Sequence, residues 1–105
     1  MGLEVTNENI EEILENKGLI VLDFLAPWCG PCRILGPIID SLSDEDINKD
    51  IIIAKVNVDM NQDLAIKYSI RSIPTIMFLK DGVVLDKLIG VSTKDSLQDK
   101  INSLR

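Results

Sequence analysis

Two cysteines, Cys29 and Cys32, stand in the run Trp28-Cys29-Gly30-Pro31-Cys32, and the chain has no others. A disulfide between them would close a loop of four residues, for which chain entropy gives only about 2 kcal/mol. A structural staple gains more across a long loop, so a pair this tight points to redox or metal chemistry. Zinc takes four ligands, and with no histidine and no further cysteine a metal site would need ligands from a second chain. An inert pair of core residues is the other bland reading, and Trp28 with Gly30-Pro31 makes a poor core segment. Reversible dithiol–disulfide exchange fits the residue types better. If Cys29 opens a helix, Cys32 follows on the same face with α-carbons about 5 Å apart, within the range a disulfide requires. Cys29 then lies among unpaired N–H groups at the positive helix end, which favours its thiolate. Cys32, one turn in, is expected to be the more buried of the two. An exposed nucleophile and a sheltered resolver are what two-step exchange needs.

Asp23 interrupts an otherwise apolar run, Leu19 to Leu25. In a strand covered on both faces its desolvation raises the carboxyl pKa toward neutrality, suiting a proton acceptor. At a strand edge it would simply reach water.

These residues need elements to hold them. Leu19 to Ala26 is apolar on both faces and rich in branched residues, as in a central strand. A helix is expected from the cysteines to about Ser43, with Ile34, Leu35, Ile38, Ile39 and Leu42 turned inward and Pro37 kinking it. Leu3 to Val5 reads as a short strand and Asn7 to Asn16 as a helix stopped by Lys17-Gly18. Ile51 to Val58 reads as a second buried strand and Leu64 to Tyr68 as a short helix. Thr75 to Lys80 and Val83 to Ile89 are strands joined by Asp81-Gly82, a tight-hairpin signal that makes them antiparallel. Ser92-Thr93-Lys94-Asp95 resembles a capping box opening a last helix whose apolar face is Leu97, Ile101 and Leu104. Such alternation predicts an α/β fold with a largely parallel sheet between helices and an antiparallel hairpin at one edge. No repeat, low-complexity tract or flexible linker divides residues 1–105, so one domain is expected.

Composition narrows the function classes. Of 105 residues 46% are hydrophobic and 27% charged, which excludes disorder of the whole chain. Seventeen acidic against eleven basic residues give a net charge of −6, which disfavours nucleic acid and anionic lipid as partners. Without histidine, Ser-His-Asp and Cys-His catalysis are excluded. The apolar runs fall far below the roughly eighteen residues of a membrane span, and the start lacks a secretory pattern. Met1-Gly2 with Thr6 matches a loose myristoylation pattern, opposed by Glu4 and by the missing polybasic segment. A cytoplasmic location is expected. Asp59-x-Asn61-x-Asp63 begins like a calcium loop, but Leu64 stands where glycine is needed and Ile70 where the closing Glu belongs. Asp44-Glu45-Asp46 reads as a solvated helix end, and Glu8, Glu11, Glu12 and Glu15 as a wet helix face.

The stretch Asp23-Phe24-Leu25-Ala26-Pro27-Trp28-Cys29-Gly30-Pro31-Cys32 resembles the active-site segment of the thioredoxin family. Ala54-Lys55-Val56-Asn57-Val58-Asp59, Ile70-Arg71-Ser72-Ile73-Pro74-Thr75 and Gly90 continue the likeness in order over nearly the whole chain. The resemblance implies a thioredoxin fold, a mixed five-stranded sheet flanked by four helices. It implies a protein-disulfide reductase in which Cys29 attacks and Cys32 resolves. Asp23 would manage the proton of Cys32, with Lys55 nearby. A cis bond between Ile73 and Pro74 is implied too, although most X–Pro bonds are trans and a proline at a strand start needs no special role. Trp28, Gly30, Pro31, Ile73, Pro74, Gly90 and Val91 would form one flat, weakly polar face on which an extended substrate segment docks. No bound cofactor is implied. The partners would be disulfide-containing proteins and a thioredoxin reductase, with the chain acting as a monomer. Gly30-Pro31 resembles reductases; an oxidase or isomerase, where histidine is usual there, is the runner-up within this chemistry. A non-catalytic binding module using the same face is the alternative from another class. Leu25, where an aromatic is common, and Ser72, where glycine is common, depart from the pattern and bear on substrate preference and redox poise.

Overall fold

The computed structural model describes residues 3–105. Met1-Gly2, and with it the start of the lipidation pattern, lies outside the described residues. In chain order the elements are β1 (Leu3–Glu4), α1 (Ile10–Leu14), β2 (Ile20–Leu25), α2 (Gly30–Asp44), β3 (Ile52–Asn57), α3 (Gln62–Lys67), β4 (Thr75–Lys80), β5 (Val83–Ile89) and α4 (Lys94–Leu104). A 3₁₀ turn at Asp46–Asn48 separates α2 from β3. The sheet runs β1-β3-β2-β4-β5. β3 pairs in parallel with both β1 and β2, while β4 is antiparallel to β2 and β5 to β4. The expected mixed sheet and edge hairpin are both present.

Period-two alternation sends the strand side chains into two apolar layers. Leu22, Phe24, Ala54, Val56, Met77 and Leu79 pack with Ile10 of α1 and Leu64 of α3. Val21, Ile53, Ile76 and Phe78 pack with Leu35, Ile39 and Leu42 of α2 and with Leu97 and Ile101 of α4. Covered on both faces, β2 is the central strand its composition predicts. Asp23 follows Val21 by two residues and so faces the α2 layer, toward the end of the strand that leads to the cysteines.

One inward assignment on α2 is wrong. Ile34 is 62% exposed, whereas Leu35, Ile39 and Leu42 are buried. At 100° per residue those three share one narrow stripe, and Ile34 falls about a quarter turn away from it. Ile38, nearer the stripe, packs partly against the layer. Helix α2 continues through Pro37. Its far end is tied down by buried Asn48, whose Nδ2 donates to Leu42 O (2.9 Å) and Gln98 Oε1 (2.7 Å).

The β4–β5 turn places Asp81 at φ 53° and Gly82 at φ 77°, the pair of left-handed residues a two-residue hairpin requires. The last helix starts one residue later than a box beginning at Ser92 implies. Thr93 is its N-cap, with Oγ1 accepting from Ser96 N at 3.1 Å. Helix α1 is shorter than its periodic pattern, because the segment before Ile10 is a turn in which Thr6 N donates to Asn9 Oδ1 (2.7 Å).

Candidate active site

Strand β2 ends at Leu25, and a short loop delivers the chain to the start of α2. Cys29 is the N-cap of that helix, in extended conformation, with Pro31 in the first turn. Proline is tolerated there because the first helical N–H groups have no partner inside the helix. The Cys29 sulfur accepts from the backbone N–H of Cys32 at 3.2 Å. Cys29 and Cys32 are joined as a disulfide with α-carbons 5.3 Å apart, the spacing expected from one helical turn. The donor aimed at Cys29 Sγ and the positive end of α2 both stabilise negative charge on that atom once the bond is reduced. Arg33 braces the loop, its guanidinium donating to Pro27 O through Nη2 (3.0 Å) and Nε (3.3 Å).

The expected difference in burial is not there. Each cysteine is 4% exposed. Both sulfurs sit in a small apolar cluster with Ala26, against which Leu25, Val58 and Ile73 pack. What distinguishes them is position: Cys29 caps the helix and receives an N–H, while Cys32 lies inside the first turn. Leu25, departing from the family's usual aromatic, serves as part of this apolar wall.

Asp23 is fully buried, at 0% exposure, which disposes of the strand-edge reading. Neither carboxyl oxygen has a hydrogen-bond partner in the protein. Its pKa is raised from 3.8 to about 7, first by desolvation; Lys55 pulls it down and Asp40 pushes it up. Lys55 is Asp23's register partner on β3. Its ammonium forms an ion pair with Asp40 of α2 at 2.8 Å.

The Ile73–Pro74 bond is cis. Pro74 O accepts from Gly90 N at 2.9 Å, and Gly90 has φ 92°, a conformation that disfavours any residue with a Cβ. Pro74 itself is buried rather than displayed, because that segment enters the central part of the sheet as β4. Ser72 is exposed, and its carbonyl accepts from Thr75 Oγ1 (2.5 Å). Trp28, Gly30, Pro31 and Val91 are exposed, and Ile73 and Gly90 half-buried. On one side the surface is a groove rather than a flat face, lined by Trp28, Asp59, Ile66, Ile70, Arg71 and Ile73. The Trp28 ring, 68% exposed, is held by its Nε1–H donating to Asp59 Oδ2 at 3.0 Å.

Arg33 and Asp40 went unnoticed in the sequence, and Asp59, though part of the family likeness, was given no role at the site. Asp59 follows the end of a strand parallel to β2, where functional groups gather in parallel sheets. Asp40 repeats the helical spacing Cys32, Gly36, Asp40. Arg33 carries no such signal.

Because Trp28 directly precedes Cys29 and is held in place, its emission should change when the disulfide is reduced. Superimposable emission spectra of the oxidised and reduced protein would show that the indole does not sense the pair.

A mixed sheet that presents a C-x-x-C disulfide at a helix start, with a buried carboxyl on the strand leading to it, defines a thiol–disulfide oxidoreductase. The family model described as Thioredoxin matches residues 2–103. Thioredoxin of Chlorobaculum thiosulfatiphilum is 45% identical over 100 residues, 94% of this chain and 92% of that one. Thioredoxin of Bacillus subtilis is 41% identical over 87 residues, 83% of each chain. The X-ray structure of Fasciola hepatica thioredoxin superposes with a TM-score of 0.87 at 38% identity, covering 100% of both chains. The chain belongs to the thioredoxin family.

Among the described residues no group of three or more His, Cys, Asp or Glu side chains is arranged to hold a metal ion. No helix among them is long and apolar enough to cross a membrane.

Proposed function

We propose that residues 1–105 act as one domain that reduces protein disulfides, with Cys29 as nucleophile and Cys32 as resolver. The Cys29 thiolate attacks one sulfur of a substrate disulfide and the other sulfur leaves as a thiolate. Cys32, losing its proton, then attacks Cys29 Sγ. The substrate's second sulfur departs reduced, and Cys29–Cys32 holds the two electrons' worth of oxidation. Asp23 accepts the proton of Cys32 during the second step, with Lys55 setting how readily it does so. The observation that carries this reading is a disulfide capping a helix directly after a strand whose one carboxylate is buried without a partner.

The groove beside Trp28 and the backbone around Ile73 and Pro74 receive an extended segment of the substrate, Gly30, Pro31, Gly90 and Val91 completing the rim. Recharging falls to a thioredoxin reductase, the dithiol itself being the electron carrier. Such a cycle belongs to a reducing compartment, which supports a cytoplasmic location. A monomer leaves the exposed rim open to substrate.

Equilibration of the Cys29–Cys32 pair with glutathione tests the direction of the chemistry. A potential well below the cytosolic glutathione poise is expected of a reductase. A potential far above it would make the protein an oxidant.

A further inference from the structure

Asp23 and Lys55 are register partners on neighbouring parallel strands, and both face α2. The strongest electrostatic bond open to Asp23 would be to that ammonium, yet its two carboxyl oxygens have no protein partner. Lys55 instead forms its ion pair across the layer with Asp40, Nζ to Oδ1 at 2.8 Å, a contact of charges without hydrogen-bond geometry. A methyl group on Gly36 would lie 3.8 Å from Lys55 Nζ, so the ammonium passes under the helix at Gly36, one turn beyond Cys32. Asp40 is one turn further along the same helix.

We propose that Asp40 is a positioning residue that draws the Lys55 ammonium along α2 and away from Asp23, leaving the Asp23 carboxyl unpaired and able to take up a proton. The proposal rests on the proton-acceptor reading of Asp23 for its functional meaning, though not for its geometry. The charged groups that act on Asp23 are Lys55 from β3 and Asp40 from α2. From β4 the register neighbour is Ile76, and α4 contributes Leu97 and Ile101 to this layer. Asp40 thus acts in two ways of the same sign. Directly, its negative charge disfavours a second carboxylate nearby; indirectly, it occupies the cation that would stabilise one.

Asp40→Asn removes both effects. The ammonium is released and can turn to Asp23, so the Asp23 titration midpoint falls by on the order of one pH unit. The measurement is carboxyl-carbon NMR of the oxidised protein across pH, which needs no turnover. In a Lys55→Met background no ammonium is left to release, and Asp40→Asn should move the midpoint less than half as far. An unmoved midpoint in Asp40→Asn would overturn the proposal, and so would an equal shift in the two backgrounds. The pH profile of mixed-disulfide resolution separates the proposal from the reading beneath it. If the inflection near neutrality follows the Asp23 midpoint downward, both stand. If the midpoint moves and the inflection stays, the positioning by Asp40 stands and the proton-acceptor role falls.

Discussion

Cys29→Ser is expected to reduce dithiothreitol-driven reduction of insulin to the rate without protein, while Cys32→Ser stops turnover and accumulates substrate disulfide-linked to Cys29. The two variants remove sulfurs of equal burial, so accessibility alone predicts equal behaviour. Electrostatics predicts otherwise. The Cys29 sulfur caps α2 and accepts the Cys32 N–H at 3.2 Å, whereas Cys32 lies inside the first turn. A serine at position 29 keeps the cap, since its hydroxyl is a good N-cap acceptor, so the fold should survive and the loss is chemical. The remaining Cys32 thiol has no capping position to stabilise its thiolate. Trapping is read by mass under non-reducing conditions. Should Cys32→Ser lose all capture while Cys29→Ser retains it, the roles are reversed. Equal insulin reduction by wild type and Cys29→Ser would leave a binding module.

Asp23→Asn should produce the second large effect, in two measurements at once. The Asp23 carboxyl has a pKa of about 7 in the folded protein against 3.8 for an ordinary one. Between those values the folded state binds a proton that the unfolded state does not. Stability is therefore undiminished below about pH 4 and falls as pH rises through 7. Three pH units correspond to about 4 kcal/mol, the upper limit of what Asn can restore at alkaline pH. Denaturant midpoints of the two proteins should nearly coincide near pH 4 and separate progressively toward pH 8. A difference independent of pH would mean the carboxylate is not what destabilises.

The kinetic arm has its own pH shape. Below pH 7 the ionised fraction of Asp23 falls tenfold per pH unit, and so does the hydroxide that solvent can offer in its place. The advantage of an internal base over solvent is then constant across that range. Above 7 the Asp23 carboxyl approaches full ionisation while the solvent route keeps gaining with pH, and the advantage closes. Resolution of the mixed disulfide by Asp23→Asn should thus be slower by a constant factor in acid and converge on wild type in alkali. Parallel profiles at all pH values would withdraw the proton-acceptor role.

The chemistry of this protein is written in contiguous residues. Cys29, Cys32 and the helix between them are local, because one turn of backbone sets the spacing of the pair whatever surrounds it. The elements were legible for a similar reason. Periodic apolar residues and the Asp81-Gly82 turn act within a few positions of each other, which is why β4 and β5 have the bounds expected from the sequence. Asp23 stood out because a carboxylate in an apolar strand violates the pattern around it. Longer range defeated the reading in specific places. Whether Ile34 faces in or out depends on where the sheet lies beneath α2, and the equal burial of the cysteines depends on Val58 and Ile73 arriving from other elements. The ring of Trp28 meets Asp59 across 31 positions of sequence. The partner of Lys55 was least legible of all. The family resemblance implies only that Lys55 lies near Asp23, and register makes the two neighbours on adjacent strands. Only the packing of α2 over the sheet brings Asp40 to the same ammonium, and charge goes to the carboxylate that keeps some water, because ionising the fully buried one costs more.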